Sequence, residues 1–294
     1  MPTLVLASPA KINLTLEILA RRDDGYHGVR STIVPLDLCD EISIEPSSRF
    51  AFECNVPELQ NNENLAVRAL RALGEPPPIR LRLHKRIPAQ AGLGGGSSNA
   101  ATLLRAAMEG AFGPQRGRDW MRVARSLGSD VPFFLAGTAA LVEGTGERVT
   151  PAGALPRWHA LIVKPPVAVS TSEAYRRLDM VERGVRPRKG SVSIAALEAL
   201  QREQFDRVVA LLHNDFQEPI ARCSAEIRQT FEALHLAGAG NALLAGSGSC
   251  VFSLAETGAQ IEALASRVKL PAEYLRFATS FARTANWREP CSTP

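Results

Sequence analysis

The chain lacks most of the features that mark a membrane protein, a secreted scaffold or a metalloprotein. Its longest apolar run, Val131 to Val142 (VPFFLAGTAALV), contains Gly137 and Thr138 and falls short of the ~20 residues that a bilayer-spanning helix needs. The opening MPTLVLASPA has no basic segment and is soon interrupted by Lys11, so no secretory leader is expected. Cysteine is sparse: Cys39, Cys54, Cys223, Cys250 and Cys291 are odd in number, widely spaced and without a C-x-x-C pair. Neither a disulfide framework nor a zinc site is indicated, and a reducing cytoplasmic setting is expected. The five histidines form no H-E-x-x-H or similar cluster, and no repeat or low-complexity tract occurs. No basic face is interleaved with aromatics, which argues against a nucleic-acid-binding module. The net charge of +4 is mild and spread out, weak evidence for nucleic acid, and a small anionic substrate is enough to explain it. What remains is a soluble chain of 294 residues, long enough for one large or two medium domains.

The positive signals gather around Ile87 to Ala101, IPAQAGLGGGSSNAA. Before it, Ile79, Leu81 and Leu83 alternate with basic residues in a strand pattern; after it, Ala100, Ala101, Leu103, Leu104, Ala107 and Met108 recur at helical spacing. A strand, a glycine-rich loop and a helix thus follow one another with almost no spare residues. Gly92, Gly94, Gly95 and Gly96 let backbone N–H groups approach a bulky anion, and Ser97 and Ser98 fall where the helix begins. Unpaired N–H groups and the positive dipole end then meet at a site suited to phosphate. The loop is not a Walker A motif, because Ser97, Ser98 and Asn99 follow Gly96, and Ser97 occupies the third-glycine place of G-x-G-x-x-G.

Other stretches supply candidate chemistry. In Leu4 to Leu19, Ile12, Leu14, Leu16 and Ile18 alternate with Lys11, Asn13, Thr15 and Glu17, so Lys11 and Asn13 share one strand face. That face is either simply solvated or functional. Arg21 to His27 (RRDDGYH) reads as a hairpin corner at Asp24-Gly25, with Tyr26 and His27 just beyond it as core or stacking groups. Strands are expected at Thr32 to Leu36, Glu41 to Glu45 and Phe50 to Cys54. A helix over Asn64 to Leu73 is capped by Asn62 or Asn64. Asp130 stands against the apolar run that follows it, as a helix cap or as a carboxylate in a partly dry wall that can act as a base. A hairpin joins Thr138 to Val142 with Glu147 to Thr150. A Pro-, Gly- and Ala-rich stretch, Pro151 to Arg157, divides a first domain (1–155) from a more helical second one (156–294). Gly246-Ser247-Gly248 reads, by itself, as an ordinary turn between two short strands.

Taken together, three motifs resemble the GHMP kinase superfamily: Pro9 to Leu14 (PAKINL), Pro88 to Ala100 with one glycine more than the usual loop, and Ala245 to Phe252. PAKINLTL, RRDDGYH, AGLGGGSSNAA, GSDVPFF, HNDF and GSGSCVF, in that order, narrow the resemblance to the branch of the superfamily that phosphorylates a cytidine-diphosphate-linked methylerythritol. The resemblance implies a two-domain α/β (α+β) architecture with the active site between the domains, and ATP with Mg²⁺ as cofactors. It implies a monomer or weak homodimer that acts on a small molecule, not on nucleic acid or membrane. Asp130 would be the catalytic base and Lys11 its cationic partner. The ATP site would comprise Asn64 on the adenine side and Pro88, Ala89, Gln90, Ala91, Gly92, Leu93, Gly94, Gly95, Gly96, Ser97 and Ser98 around the phosphates, with Ser98 also reaching the metal. Asn13, Tyr26, His27, Thr171, Tyr175, Gly246 and Ser247 would line the acceptor site, with cytosine between Tyr26 and Tyr175. Gln90 departs from the glycine common there, Ser172 from a proline and Tyr175 from a phenylalanine. Two other readings stay open: a homoserine- or mevalonate-type kinase of the same superfamily, and a catalytically silent binding protein of that fold, which would be expected to have lost Lys11 or Asp130.

Overall fold

The computed structural model describes residues 3–21, 25, 27–180 and 190–282. The first half contains β1 (Leu4–Asn13), β2 (Thr15–Arg21), β3 (His27–Pro46), β4 (Ala51–Cys54), α1 (Leu65–Leu73), β5 (Ile79–His84), α2 (Gly95–Met108), α3 (Trp120–Leu127), α4 (Val131–Ala136), β6 (Ala140–Gly144) and β7 (Arg148–Pro151). The second contains β8 (His159–Lys164), α5 (Thr171–Asp179), α6 (Val192–Gln201), α7 (Phe205–Ala210), β9 (His213–Asn214), α8 (Gln217–Cys223), α9 (Ala225–Leu236), β10 (Leu243–Leu244), β11 (Val251–Ala255), α10 (Gly258–Arg267) and β12 (Leu275–Ser280).

The long strand β3 is the spine of an eight-stranded sheet. It pairs antiparallel with β1, β2, β5 and β6, and the two strands expected at Thr32 to Leu36 and Glu41 to Glu45 are parts of it. The residues between them do not break the strand because β1 follows it throughout, with a register shift at Pro9/Ala10 to absorb the irregularity. From the second half, β9 joins this sheet by pairing parallel to β2. The second sheet has the order β10-β11-β8-β12 and is entirely built from the second half.

The central helix α2 lies against β1, α1 and α4. Its alanines at positions 100, 101, 106 and 107 are all essentially inaccessible, which permits the close approach. One apolar core joins Ile12, Leu14 and Leu36 of the first sheet to Ala160, Ile162 and Phe252 of the second, and includes Ala91 and Leu93 of the glycine-rich loop. The loop is therefore anchored in the core shared by both sheets. Elements beyond those read from the sequence include α8, β9, α10 and β12. Pro219 obscures α8, yet it sits in the first turn, where its missing N–H costs no helical bond. Among the described residues Cys54, Cys223 and Cys250 are free.

Candidate active site

A single cleft of about 1430 Å³ gathers residues from both halves of the chain. Of the residues expected in the site, Lys11, Asn13, His27, Asn64, Pro88 to Ser97, Asp130, Thr171, Tyr175, Gly246 and Ser247 all line it. Ser98 is not among them: it is fully buried and accepts a hydrogen bond from Ser8 Oγ at 2.9 Å, whereas the adjacent Ser97 lines the cleft. Helical geometry accounts for the difference, since residues one apart point about 100° away from each other. Tyr26 lies outside the described residues.

The glycine-rich loop is shaped by contacts within the protein. Gly92 has φ +78°, and a Cβ there would come within 1.8 Å of the Ala245 carbonyl oxygen. Gly94 has φ +71°, and a Cβ would meet the Phe134 ring at 2.8 Å. Gly92 is thus fitted against the late turn at Gly246 to Gly248, while Gly94 lies under α4. Cys250 N donates to Ala91 O at 3.2 Å, and Lys11 N to Leu93 O at 3.0 Å. Asn214 donates to both Leu244 O (2.7 Å) and Gly246 O (2.8 Å), fixing the turn from behind. The Gly-Ser turn is therefore more than a strand connection. Helix α2 begins at Gly95, earlier than its serines suggested, with Gly94 as a left-handed N-cap and no side chain capping it. Ser98 N makes the first backbone bond of that turn, to Gly94 O, so the N–H groups of Gly95, Gly96 and Ser97 precede the helical ladder.

Beside the loop, Lys11 and Asp130 approach to 3.6 Å between Nζ and Oδ2. Lys11 is almost wholly buried, which excludes the solvated-strand reading. Its ammonium donates to Asn13 Oδ1 at 2.6 Å, Asn13 Nδ2 donates to Ser31 Oγ at 2.7 Å, and Ser31 Oγ donates to Thr15 O at 2.5 Å. Both ends of the Asn13 amide are engaged in holding Lys11 in place. Asp130 precedes α4 but makes no side-chain capping bond, and its side chain is 35% exposed. Its carboxylate is free to face a ligand. The nearby Cys250 offers no competing nucleophile, since it has no exposed surface and burial pushes its thiol up to about 12.

The opposite wall is built from side chains. The His27 ring stacks on Tyr175 with centroids 5.6 Å apart and planes 11° apart, and Tyr175 meets Phe216 edge-on at 5.0 Å. One face of Tyr175 is thus already covered by His27. His27 Nδ1 lies 3.2 Å from Leu19 O, and Nε2 lies 3.0 Å from Asp179 Oδ1. Thr171 and Ser247 hydroxyls are 3.3 Å apart. Asn64 caps α1 by accepting from Ala66 N at 3.0 Å, while its amide donates to Leu59 O at 2.9 Å. Asn214, Asp40, Asn99 and Lys85, which hold the loop from behind, were not singled out in the sequence. Two of them, Asn214 and Asn99, fall within the HNDF and AGLGGGSSNAA segments.

The family description "GHMP kinases N terminal domain" matches residues 64–138, and "GHMP kinases C terminal" matches 196–272. A 4-diphosphocytidyl-2-C-methyl-D-erythritol kinase of Deinococcus radiodurans is 40% identical over 265 residues, covering 88% of this chain and 86% of that protein. The chain belongs to the GHMP kinase family. A crystal structure of a 4-(cytidine 5'-diphospho)-2C-methyl-D-erythritol kinase superposes with a TM-score of 0.74 at 35% identity, covering 95% of this GHMP kinase and all (100%) of that chain. A homoserine kinase from Cytophaga hutchinsonii superposes at a TM-score of 0.71 with 14% identity, covering 99% of this chain and 96% of that one, a likeness of fold alone. As a GHMP kinase with this mixed α/β architecture, the protein is a small-molecule kinase. Among its described residues no helix is long and apolar enough to cross a membrane.

Proposed function

We propose that this kinase transfers the γ-phosphoryl group of ATP to the 2-hydroxyl of 4-diphosphocytidyl-2-C-methyl-D-erythritol, a step in isoprenoid precursor synthesis by the non-mevalonate route. The observation that carries the reading is the Lys11–Asp130 pair, set at 3.6 Å beside an uncapped helix N-terminus in one cleft. The names of the relatives supply the acceptor. Phosphoryl transfer demands alignment and charge neutralisation more than covalent chemistry. The N–H groups of Gly95, Gly96 and Ser97 would cradle the ATP phosphates, and Asn64 would stand on the adenine side. Asp130 takes the proton from the acceptor hydroxyl as its oxygen attacks phosphorus. Lys11, oriented by Asn13, offsets the negative charge that develops between the hydroxyl and the transferred group.

Among the described residues no cluster of three or more His, Cys, Asp or Glu comes together, so no all-protein metal cage is present. Magnesium at a nucleotide needs less, one or two protein oxygens with the phosphates and water. On the cleft wall the Ser97 hydroxyl fits that role better than the buried Ser98, and Asp130 is left to act as the base. The ion would neutralise phosphate charge. The acceptor would lie between the Lys11–Asp130 pair and the His27–Tyr175 wall, with Thr171, Gly246 and Ser247 beside it, in a cleft between segments 1–155 and 156–294.

The test is ADP release from ATP and Mg²⁺ with the cytidyl compound, beside homoserine and mevalonate. Turnover with the cytidyl compound alone is expected. Turnover with a control alone would discard the acceptor pocket and keep the phosphate site, and nucleotide binding without any turnover would favour the silent binding protein.

A further inference from the structure

Behind the glycine-rich loop lies a buried ion pair that the reaction as drawn above does not use. Asp40 on β3 has 1% of its surface exposed, and Lys85, at the end of β5, has a side chain 6% exposed; the two form a salt bridge. Asp40 Oδ1 accepts from the N–H groups of Arg86 and Ile87 at 2.8 and 2.9 Å, so the carboxylate fixes the strand just where it enters the loop. Asn99, on the first turns of α2, donates to Asp40 Oδ2 at 2.9 Å and accepts from Lys85 Nζ at 3.2 Å. The entry and exit of the loop are thereby tied to one carboxylate.

A pair of buried charges is usually no more stabilising than an apolar pair of the same volume. Asp40 offsets only the ammonium's own charge, and the positive end of the helix dipole is left over: a Cβ on Gly95 would lie 3.0 Å from Lys85 Nζ, so the ammonium sits at the first residue of α2. An ammonium has three N–H donors, and two are used here, on Asp40 and Asn99. Lys85 nonetheless lines the cleft. A cation next to a helix N-terminus becomes favourable once an anion shares the space. We infer that Lys85 is a second phosphate-binding cation of the site, contacting the nucleotide phosphates with its remaining N–H, and that Asp40 and Asn99 position it. This rests on the nucleotide reading of the cleft given above.

The test is calorimetric binding of ADP and of adenosine to the wild-type protein and to the double variant Asp40→Asn/Lys85→Met, which removes both charges and strands neither. ADP affinity should fall roughly tenfold to hundredfold, the range for hydrogen bonds to charged groups, while adenosine affinity stays within about twofold. The KM for ATP should rise by the same factor as the ADP affinity falls, with the KM for the acceptor unchanged. Should that variant not fold, Asp40→Asn/Lys85→Gln carries the same expectation. Unchanged ADP affinity in either folded variant overturns the inference, as does an equal loss for ADP and adenosine. A wild-type protein that binds neither ligand would instead sink the nucleotide reading itself, which keeps the two failures apart.

Discussion

At the proposed phosphate end of the cleft the wall is largely backbone: Gly92 is seated on the Ala245 carbonyl, Gly94 under Phe134, and strand-like bonds run from Lys11 N to Leu93 O and from Cys250 N to Ala91 O. At the other end the wall is the side chains of His27, Tyr175, Thr171 and Asp179, joined by one stacked pair and a few hydrogen bonds, with Thr171 and Asp179 exposed. The first arrangement can hold an invariant group such as a triphosphate without reorganising. The second can be retuned by single substitutions, as befits the part proposed to choose an acceptor. Chemistry should therefore be lost by touching the rigid end, and selectivity by touching the other.

The sharpest break in that contrast is Asp130→Asn. Loss of a general base typically costs 10²–10⁴-fold, so kcat should fall about 10³-fold with ADP affinity nearly unchanged. Turnover close to wild type would take the base role away from Asp130. Next comes Gly92→Ala, which adds a Cβ 1.8 Å from a backbone oxygen at a φ of +78°. Left-handed strain and overpacking together should cost about 3 kcal/mol in denaturant unfolding, since neither the loop nor the Gly-Ser turn can yield cheaply. A loss below about 1 kcal/mol would mean that the rigid end is softer than its contacts imply.

On the side-chain wall, Tyr175→Ala should raise the KM for the cytidyl acceptor roughly tenfold, with kcat and ATP affinity held, because a base–aromatic stack contributes about 1–3 kcal/mol. A fall in kcat alone would place Tyr175 with the chemistry instead. Away from the cleft, Glu17 of β2 ties that strand to the start of α6: it accepts from Ser191 Oγ at 2.6 Å and from Ser193 N at 3.0 Å. Burial alone would push its carboxyl up, but those hydrogen bonds outweigh it and hold it below its ordinary 4.5. A carboxyl lowered in the folded state adds stability above its unfolded value and loses it as pH falls through the folded one. Glu17→Gln should thus be about 1 kcal/mol less stable near neutrality, and the difference should close in acid below pH 4.5. A gap that persists there would assign the loss to shape and not to charge.

The sequence disclosed the two ends of the cleft unequally, for a physical reason. The glycine-rich loop, its flanking strand and helix, Lys11 and Asp130 all lie in runs whose period or composition is local. The seating of Gly92 on Ala245 joins residues from opposite ends of the chain, and nothing in either segment alone distinguishes that contact from an ordinary turn. Asn13 was legible as polar and facing Lys11, yet its task of holding Lys11 through Ser31 appears only once β1 and β3 are paired. Asp40, Asn99 and Lys85 escaped for the same cause, since a buried polar triad drawn from β3, α2 and β5 has no linear signature. The helix start was misjudged because serines are good caps, whereas here a left-handed Gly94 does the turning and frees the N–H groups that a serine would have occupied.

The smallest expected effect falls on the one residue of the loop that breaks its own rule. Gln90 has φ +50°, a left-handed conformation that glycine adopts freely and a glutamine only at a cost of about 1–2 kcal/mol. The family resemblance implies a glycine there, which would carry no such strain. Gln90→Gly should relieve the strain in the folded chain, while the added freedom of the unfolded chain offsets about 0.4–1 kcal/mol of the gain. The net result in denaturant unfolding should be a stabilisation of no more than about 1 kcal/mol, with kcat and the KM for ATP within about twofold of wild type. A larger rise in that KM would show that the Gln90 side chain itself contacts the nucleotide, adding a side chain beyond Lys11 and Lys85 to the proposed phosphate end.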